Sequence, residues 1–214
     1  MDLLEYERGL YNEGIDLIAG VDEVGRGPLY GPVVTAAVIL PKNYYLEGLT
    51  DSKKLTPKKR DKFYDIIMND AISVSIGMCD NNVIDEINIY EATKVAMYEA
   101  INNLSVKPEH VLIDAMKLES LDIPSTSIIK GDAKSESIAA ASVIAKVTRD
   151  RMMEAEDKIH PEYGFAHHKG YPTKAHIEAV KKYGVLDLHR KTFEPIKSMV
   201  NGSEYSEKKE KITV

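Results

Sequence analysis

Ten residues, Ala19-Gly20-Val21-Asp22-Glu23-Val24-Gly25-Arg26-Gly27-Pro28, constrain this chain more than any other stretch. An apolar run that burial draws into a core leads straight into two adjacent carboxylates, so the acids come to lie at the rim of that core. Neighbours on a strand face opposite sides, and one acid is driven inward unless the backbone bends there. The glycines two and four residues past Glu23 make such a bend cheap and let the backbone approach a ligand closely. The spacing predicts a strand over Ile15–Val21, with Asp22 and Glu23 at its end.

The rest of the chain supplies partners for that strand. Val33–Leu40 reads as a second, fully buried strand, too close to the first for a crossover helix and so antiparallel to it. Thr56-Pro57 is a helix start with a threonine cap and proline at the first helical position; the helix runs to Asp70 with Phe63, Ile66 and Ile67 inward. Ile72–Cys79 alternates as a strand does. Helices are expected over residues 2–13, Asn88–Leu104, Lys134–Ile159, Lys174–Tyr183 and Phe193–Val200, and strands over His110–Ile113 and Ser125–Lys130. This order predicts an α/β fold, a mixed five-stranded sheet flanked by helices with a C-terminal helical extension. Residues 1–200 form one domain in this reading, and 201–214, without core material, form a loose tail.

No apolar run exceeds about eight residues, against the roughly 20 that span a bilayer. Acids stand near the start where a signal peptide carries basic residues, and the one cysteine, Cys79, excludes an internal disulfide framework. These features point to the cytoplasm and away from membranes. A net charge of −6 argues mildly against a nucleic-acid partner, yet Lys53, Lys54, Lys58, Lys59, Arg60 and Lys62 cluster on one segment. A solvated helix face is the bland alternative for that cluster.

Three predicted strand ends carry acids: Asp22-Glu23, Asp114 and Asp132. Asp114 alone could be a turn former, and Asp132 alone could cap the following helix. Converging, the four carboxylates would repel one another, and a divalent cation relieves that cost. Oxygen donors of this kind suit Mg²⁺ or Mn²⁺, and two ions about 4 Å apart are a device for phosphoryl transfer.

Several segments together resemble ribonuclease HII of the bacterial type. They are Gly20–Leu29, Asp51-Ser52-Lys53-Lys54-Leu55, Leu112-Ile113-Asp114-Ala115, Lys130–Ser135, Ser137–Ser142, Tyr163-Gly164-Phe165, His168-Lys169-Gly170-Tyr171 and His189-Arg190. The resemblance implies the ribonuclease H-like fold. It also implies hydrolysis of the RNA strand of RNA–DNA hybrids and cleavage 5′ of single ribonucleotides in duplex DNA, leaving 3′-hydroxyl and 5′-phosphate ends. It makes Asp22, Glu23, Asp114 and Asp132 the catalytic metal ligands of a two-metal Mg²⁺ or Mn²⁺ site. It further implies that Gly25, Arg26 and Gly27 grip the ribose 2′-hydroxyl through backbone groups and that Tyr163 stacks on the neighbouring deoxyribose, a core or loop aromatic being the alternative for Tyr163; Lys53 is a candidate for holding phosphate. Lys54, Lys146 and the Lys169 region are further phosphate candidates, with solvated side chains as the alternative for all of these lysines, and the working unit is expected to be a monomer. Tyr30 and Pro172 depart from the family's usual residues.

The histidines His160, His167, His168, His176 and His189 raise the idea of a zinc hydrolase, but their spacing does not match one, and surface or backbone-bonding roles are expected instead. A general hybrid nuclease and a catalytically silent nucleic-acid-binding module are the competing readings. The presence of all four acids counts against the second.

Overall fold

The computed structural model describes residues 2–202. Its sheet is five-stranded and mixed, in the order β3-β2-β1-β4-β5, where β1 is Ile18–Val24, β2 Val33–Ile39, β3 Ser73–Cys79, β4 His110–Asp114 and β5 Ser125–Ile128. The short β1–β2 connection yields an antiparallel pair as expected, while β4 and β5 join in parallel. β1 starts and ends three residues later than its predicted span, so Asp22 and Glu23 lie inside the strand and not beyond it. Pairing with β2 continues through Val24. That partner strand holds the two acids in extended backbone.

Helices cover both faces. α1 is Glu5–Asn12, α2 Pro57–Asp70, α3 Asn81–Asn102, α4 Glu136–Ile159, α5 Phe165–His168 and α6 Lys174–Tyr183; a seventh, α7, occupies residues 196–202. The alanine-rich stretch of α4 packs with Ala36 and Val38 on one face, and Met97, Ala100 and Ile101 of α3 pack with Ala19 and Val21 on the other. Gly20 is what lets α4 come so close: a Cβ there would lie 2.0 Å from the Ser137 carbonyl carbon. Asp22 follows Gly20 by two residues and therefore shares the α4 face.

The predicted start of α3 at Asn88 is a kink inside a longer helix. Asn88 takes φ 70° and its side chain accepts from the N–H groups of Tyr90 and Glu91, as an N-cap does, while Asp80 caps a preceding segment that begins at Asn81. The predicted tail begins two residues early, since 201 and 202 continue α7; residues 203–214 lie outside the described residues. The C-terminal elements gather around Leu29, Tyr30, Tyr163, Phe165, Val180 and Ile196. Tyr30, a departure from the family pattern, is a core residue here: its ring stacks on Phe165 at 4.0 Å and its hydroxyl donates to Glu156.

At the start of α4 two buried acids sit close in the fold. Glu7 Oε1 accepts from the Ser135 hydroxyl and the Ser137 N–H, and Glu136 Oε1 accepts from the Leu46 N–H; the second oxygen of each has no partner among the described residues. Burial, opposed by the Leu46 N–H and reinforced by Glu7, pushes the Glu136 carboxyl up to about 7. A raised folded-state pKa means stability that is complete below the unfolded value and lost as pH rises through the folded one. Glu136→Gln removes that loss and keeps the acceptor for Leu46. It is expected to exceed wild type in stability by ~2 kcal/mol at pH 8, with the gain fading near pH 4.5. Urea unfolding at the two pH values checks this, and a destabilised variant at pH 8 would refute it.

Candidate active site

β1 and β4 stop pairing at Val21–Ile113, one residue before their acids, so the next row of the sheet opens into a notch. Asp22 enters it from β1 and Asp114 from β4. Asp132 arrives from a tight 3-10 turn, Gly131–Ala133, that follows β5. The turn is fastened to β4, because the Gly131 N–H donates to Asp114 Oδ1 at 2.6 Å. Lys130 enters it at φ 58°, in the left-handed region. Ser135, and not Asp132, caps α4. With its capping role gone, Asp132 is left to the notch. Carboxylate oxygens of Asp22, Asp114 and Asp132 all lie within 4.8 Å of one another.

Glu23 borders this trio without joining it. Its Oε1 is 3.6 Å from Arg26 Nη1, and its buried Oε2 has no hydrogen-bond partner among the described residues. The electrostatics are those of a cluster that a divalent cation would stabilise. Burial, then the charges of Glu23 and Asp114, raise Asp22 well above the usual carboxylate range. Burial likewise raises Glu23, Asp114 and Asp132. Lys53 answers them: burial works against its charge, but Asp22, Asp51, Asp132 and Glu23 outweigh that and lift its pKa. Three converging hard-oxygen donors and an orphaned buried carboxylate oxygen fit a divalent cation.

Beside the acids runs a narrow cleft of about 110 Å³ lined by residues 23–27, Lys53 and Tyr171. Gly25 stands at φ 94°, and a Cβ on it would meet Arg149 Nε at 2.4 Å, so glycine is required there by the fold. Gly27 differs: a Cβ would meet the Tyr171 ring at 3.6 Å, an ordinary contact. The fold tolerates a side chain at that position, but the slot between Gly27 and Tyr171 would narrow.

Two fully buried arginines set the loop. Arg190 donates to the carbonyls of Gly25, Arg26 and Gly31, and Arg149 to those of Tyr30, Pro32 and Lys169. Neither has a carboxylate within ion-pair distance among the described residues. Burial lowers Arg149 to about 10 and Arg190 to about 9, so both remain charged at neutral pH.

The structure brings Asp22, Asp114 and Asp132 together and sets Glu23, Gly25, Arg26, Gly27 and Lys53 along the adjoining cleft. Tyr163 is the exception. It is 3% exposed, its hydroxyl donates to the Gly184 carbonyl at 2.8 Å, and its ring stacks on Phe165 within the C-terminal core. It does not line the cleft; Tyr171, eight residues on, does. Lys146 and Lys169 are engaged in ion pairs with Asp150 and Glu154, both at 2.7 Å, whereas Lys53 and Lys54 line the wider notch of about 450 Å³ around Asp114 and Asp132. Asp51 was not singled out among the acids, yet it shares that notch, and its charge adds to the burial that raises Asp132. Its signal was the segment Asp51–Leu55, read there only for its lysines.

The chain has counterparts among known proteins over most of its length. The family model described as Ribonuclease HII matches residues 19–196. A curated ribonuclease HII from Bacillus cytotoxicus is 62% identical over 200 residues, which is 94% of this chain and 77% of that protein. The crystal structure of ribonuclease H2 from Pyrococcus horikoshii superposes with a TM-score of 0.73 at 29% identity, over 85% of this chain and 96% of that one. Ribonuclease HII from Archaeoglobus fulgidus, solved in a complex with PCNA, gives 0.72 at 27% identity over 83% and 95%. The sheet is thus that of the ribonuclease H-like fold, and with the match running from β1 to the start of α7, the chain belongs to the ribonuclease HII family.

Proposed function

We propose that Asp22, Glu23, Asp114 and Asp132 hold Mg²⁺ or Mn²⁺ and that the slot between Gly27 and Tyr171 reads a ribose-to-deoxyribose junction. As a ribonuclease HII the chain is an endonuclease that hydrolyses the RNA strand of RNA–DNA hybrids. The observation that carries the finer reading is the adjacency of the three-carboxylate cluster to that slot.

Held by these four acids, divalent cations would supply Lewis acidity toward the attacking water and the leaving oxygen. The residues themselves orient the substrate. Water oxygen adds to phosphorus as the bond to the upstream 3′ oxygen breaks, leaving a 3′-hydroxyl and a 5′-phosphate. Lys53, held charged by the acids, neutralises phosphate at the mouth of the notch. The 2′-hydroxyl distinguishes RNA from DNA at one position, and Gly25-Arg26-Gly27 presents backbone groups where it can be gripped. Across the slot, the Tyr171 ring covers the neighbouring sugar and leaves little room for a second 2′-oxygen. The stacking role expected of Tyr163 therefore passes to Tyr171.

Tyr171→Ala is expected to lose roughly thirtyfold in kcat/KM on a duplex with one ribonucleotide, equivalent to ~2 kcal/mol, with a smaller loss on a long hybrid. Tyr163→Phe is expected to keep the preference and to lose ~1 kcal/mol of stability with its hydrogen bond to Gly184. Cleavage of both substrates by both variants decides the assignment. Equal losses on the two substrates in Tyr171→Ala would refute a junction-reading role.

A further inference from the structure

Three histidines that the cleavage chemistry does not use lie directly beneath Tyr171. His176 and His189 are fully buried, and the rings of His168 and His176 stack at 4.4 Å. Backbone partners settle the tautomer of each ring, because an N–H can only donate and a carbonyl can only accept. The Leu186 N–H points at His189 Nδ1 at 2.9 Å, closer than the Leu186 carbonyl at 3.3 Å, so that nitrogen acts as the acceptor and His189 carries its proton on Nε2. That proton faces His176 Nε2 at 3.2 Å. His176 in turn holds its own proton on Nδ1, which donates to the Tyr171 carbonyl at 3.0 Å. The hydrogen bonds therefore run one way, from Leu186 through His189 and His176 to Tyr171.

His168 fastens the other side of the same segment. Its Nδ1 accepts the Gly170 N–H at 3.2 Å and its Nε2 donates to the Tyr163 carbonyl at 2.8 Å. Its main-chain carbonyl accepts the Tyr171 N–H, and the Gly170 carbonyl accepts the Leu29 N–H from the loop that follows Gly27. The Gly170–Tyr171 backbone is thus tied to two imidazoles and to the opposite wall of the slot. An added proton on His168 Nδ1, His176 Nε2 or His189 Nδ1 would face an existing donor. Burial also keeps His176 and His189 at about 4, so the chain is neutral and intact at neutral pH.

We propose that His176, backed by His189 and flanked by His168, is a positioning residue that sets the width of the slot by holding the Tyr171 main chain, and so tunes the preference for single ribonucleotides. This rests on the reading of Tyr171 as the junction reader. A nonpolar ring at position 176 fills the space but leaves the Tyr171 carbonyl without its imidazole donor, whereas asparagine places an amide N–H near the position of Nδ1.

The test compares wild type, His176→Phe, His176→Asn, Tyr171→Ala and the double variant Tyr171→Ala/His176→Phe on a single-ribonucleotide duplex and on a long hybrid. His176→Phe is expected to lower the ratio of kcat/KM for the two substrates roughly tenfold, mainly through KM, and His176→Asn to restore most of it. The double variant is expected to match Tyr171→Ala alone, since His176 acts only through Tyr171. Losses that multiply in the double variant would overturn the proposal. A lowered ratio in Tyr171→Ala with an unchanged one in His176→Phe would overturn the positioning role alone; an unchanged ratio in Tyr171→Ala would overturn the junction reading as well. Imidazole ¹⁵N spectra of the wild-type protein give an answer that needs no folded variant. The Nδ1–H tautomer is expected for His176 and Nε2–H for His168 and His189, and an Nε2–H tautomer at His176 would sink the proposal.

Discussion

Asp22→Asn is expected to reduce cleavage by at least ~10³-fold, corresponding to ~4 kcal/mol of transition-state stabilisation, while making the metal-free protein more stable. The two effects go in opposite directions for one reason. Asp22 is 5% exposed, on the central strand, with Asp114 and Asp132 oxygens within 4.8 Å and Glu23 beside it. Holding a charge there costs desolvation and repulsion, and both costs vanish with asparagine, whose oxygen can still accept the Glu23 N–H as Asp22 Oδ1 does at 2.7 Å. The gain in stability is expected to be ~1–2 kcal/mol at neutral pH and to shrink as acid protonates the wild-type carboxyl. Added Mg²⁺ is expected to raise the melting temperature of wild type and to leave the variant nearly unmoved. Thermal unfolding with and without Mg²⁺, alongside a cleavage assay, checks all three. A variant that is inactive and also less stable would mean that Asp22 holds the fold together, and a variant that Mg²⁺ stabilises as much as it does wild type would remove Asp22 from the ligand set.

Asp22, Glu23 and Asp114 were legible in the sequence because they follow apolar runs, which mark a rim whichever way the strand is bounded, and Asp132 because it stands just past the predicted strand Ser125–Lys130. Their convergence was legible less directly. It depends on β1, β4 and β5 lying side by side in parallel, which follows from helices separating β1 from β4 but is not encoded at any single residue. Tyr163 and Tyr171 show where local pattern stops. Both stand in short glycine-containing motifs eight residues apart, and only the packing of α5 shows that one ring turns into the core while the other meets Gly27. The buried arginines were invisible for a related reason. Their partners are carbonyls, a group every residue has, so no spacing of side chains announces them. His176 and His189 were expected at the surface or on backbone groups; they do bond the backbone, but from full burial, since two neutral rings that satisfy each other can be sequestered where charged ones could not.

Arg190→Lys keeps a positive charge at the base of the Gly-Arg-Gly loop and is nevertheless expected to be severe. The guanidinium spreads its donors over three carbonyls, Gly25, Arg26 and Gly31, at 2.5–3.0 Å, and its face lies 5.1 Å from the centre of the Phe193 ring. An ammonium concentrates its donors at one point and cannot reach all three acceptors, so at least one buried carbonyl is left without a partner. The expected loss is ~3 kcal/mol of unfolding free energy, measured in urea. Arg149 still holds Tyr30, Pro32 and Lys169, so the loop should loosen at Gly25 and Arg26 without detaching from the core. Those two residues carry the backbone proposed to face the ribose. Cleavage of single-ribonucleotide duplexes should therefore fall more than cleavage of hybrids, which present a 2′-hydroxyl at every position and can engage a loosened loop in several registers. A stability loss with no change in that preference would assign Arg190 to the core alone and place the rigidity of the Gly-Arg-Gly turn elsewhere, in the β1–β2 pairing that frames it.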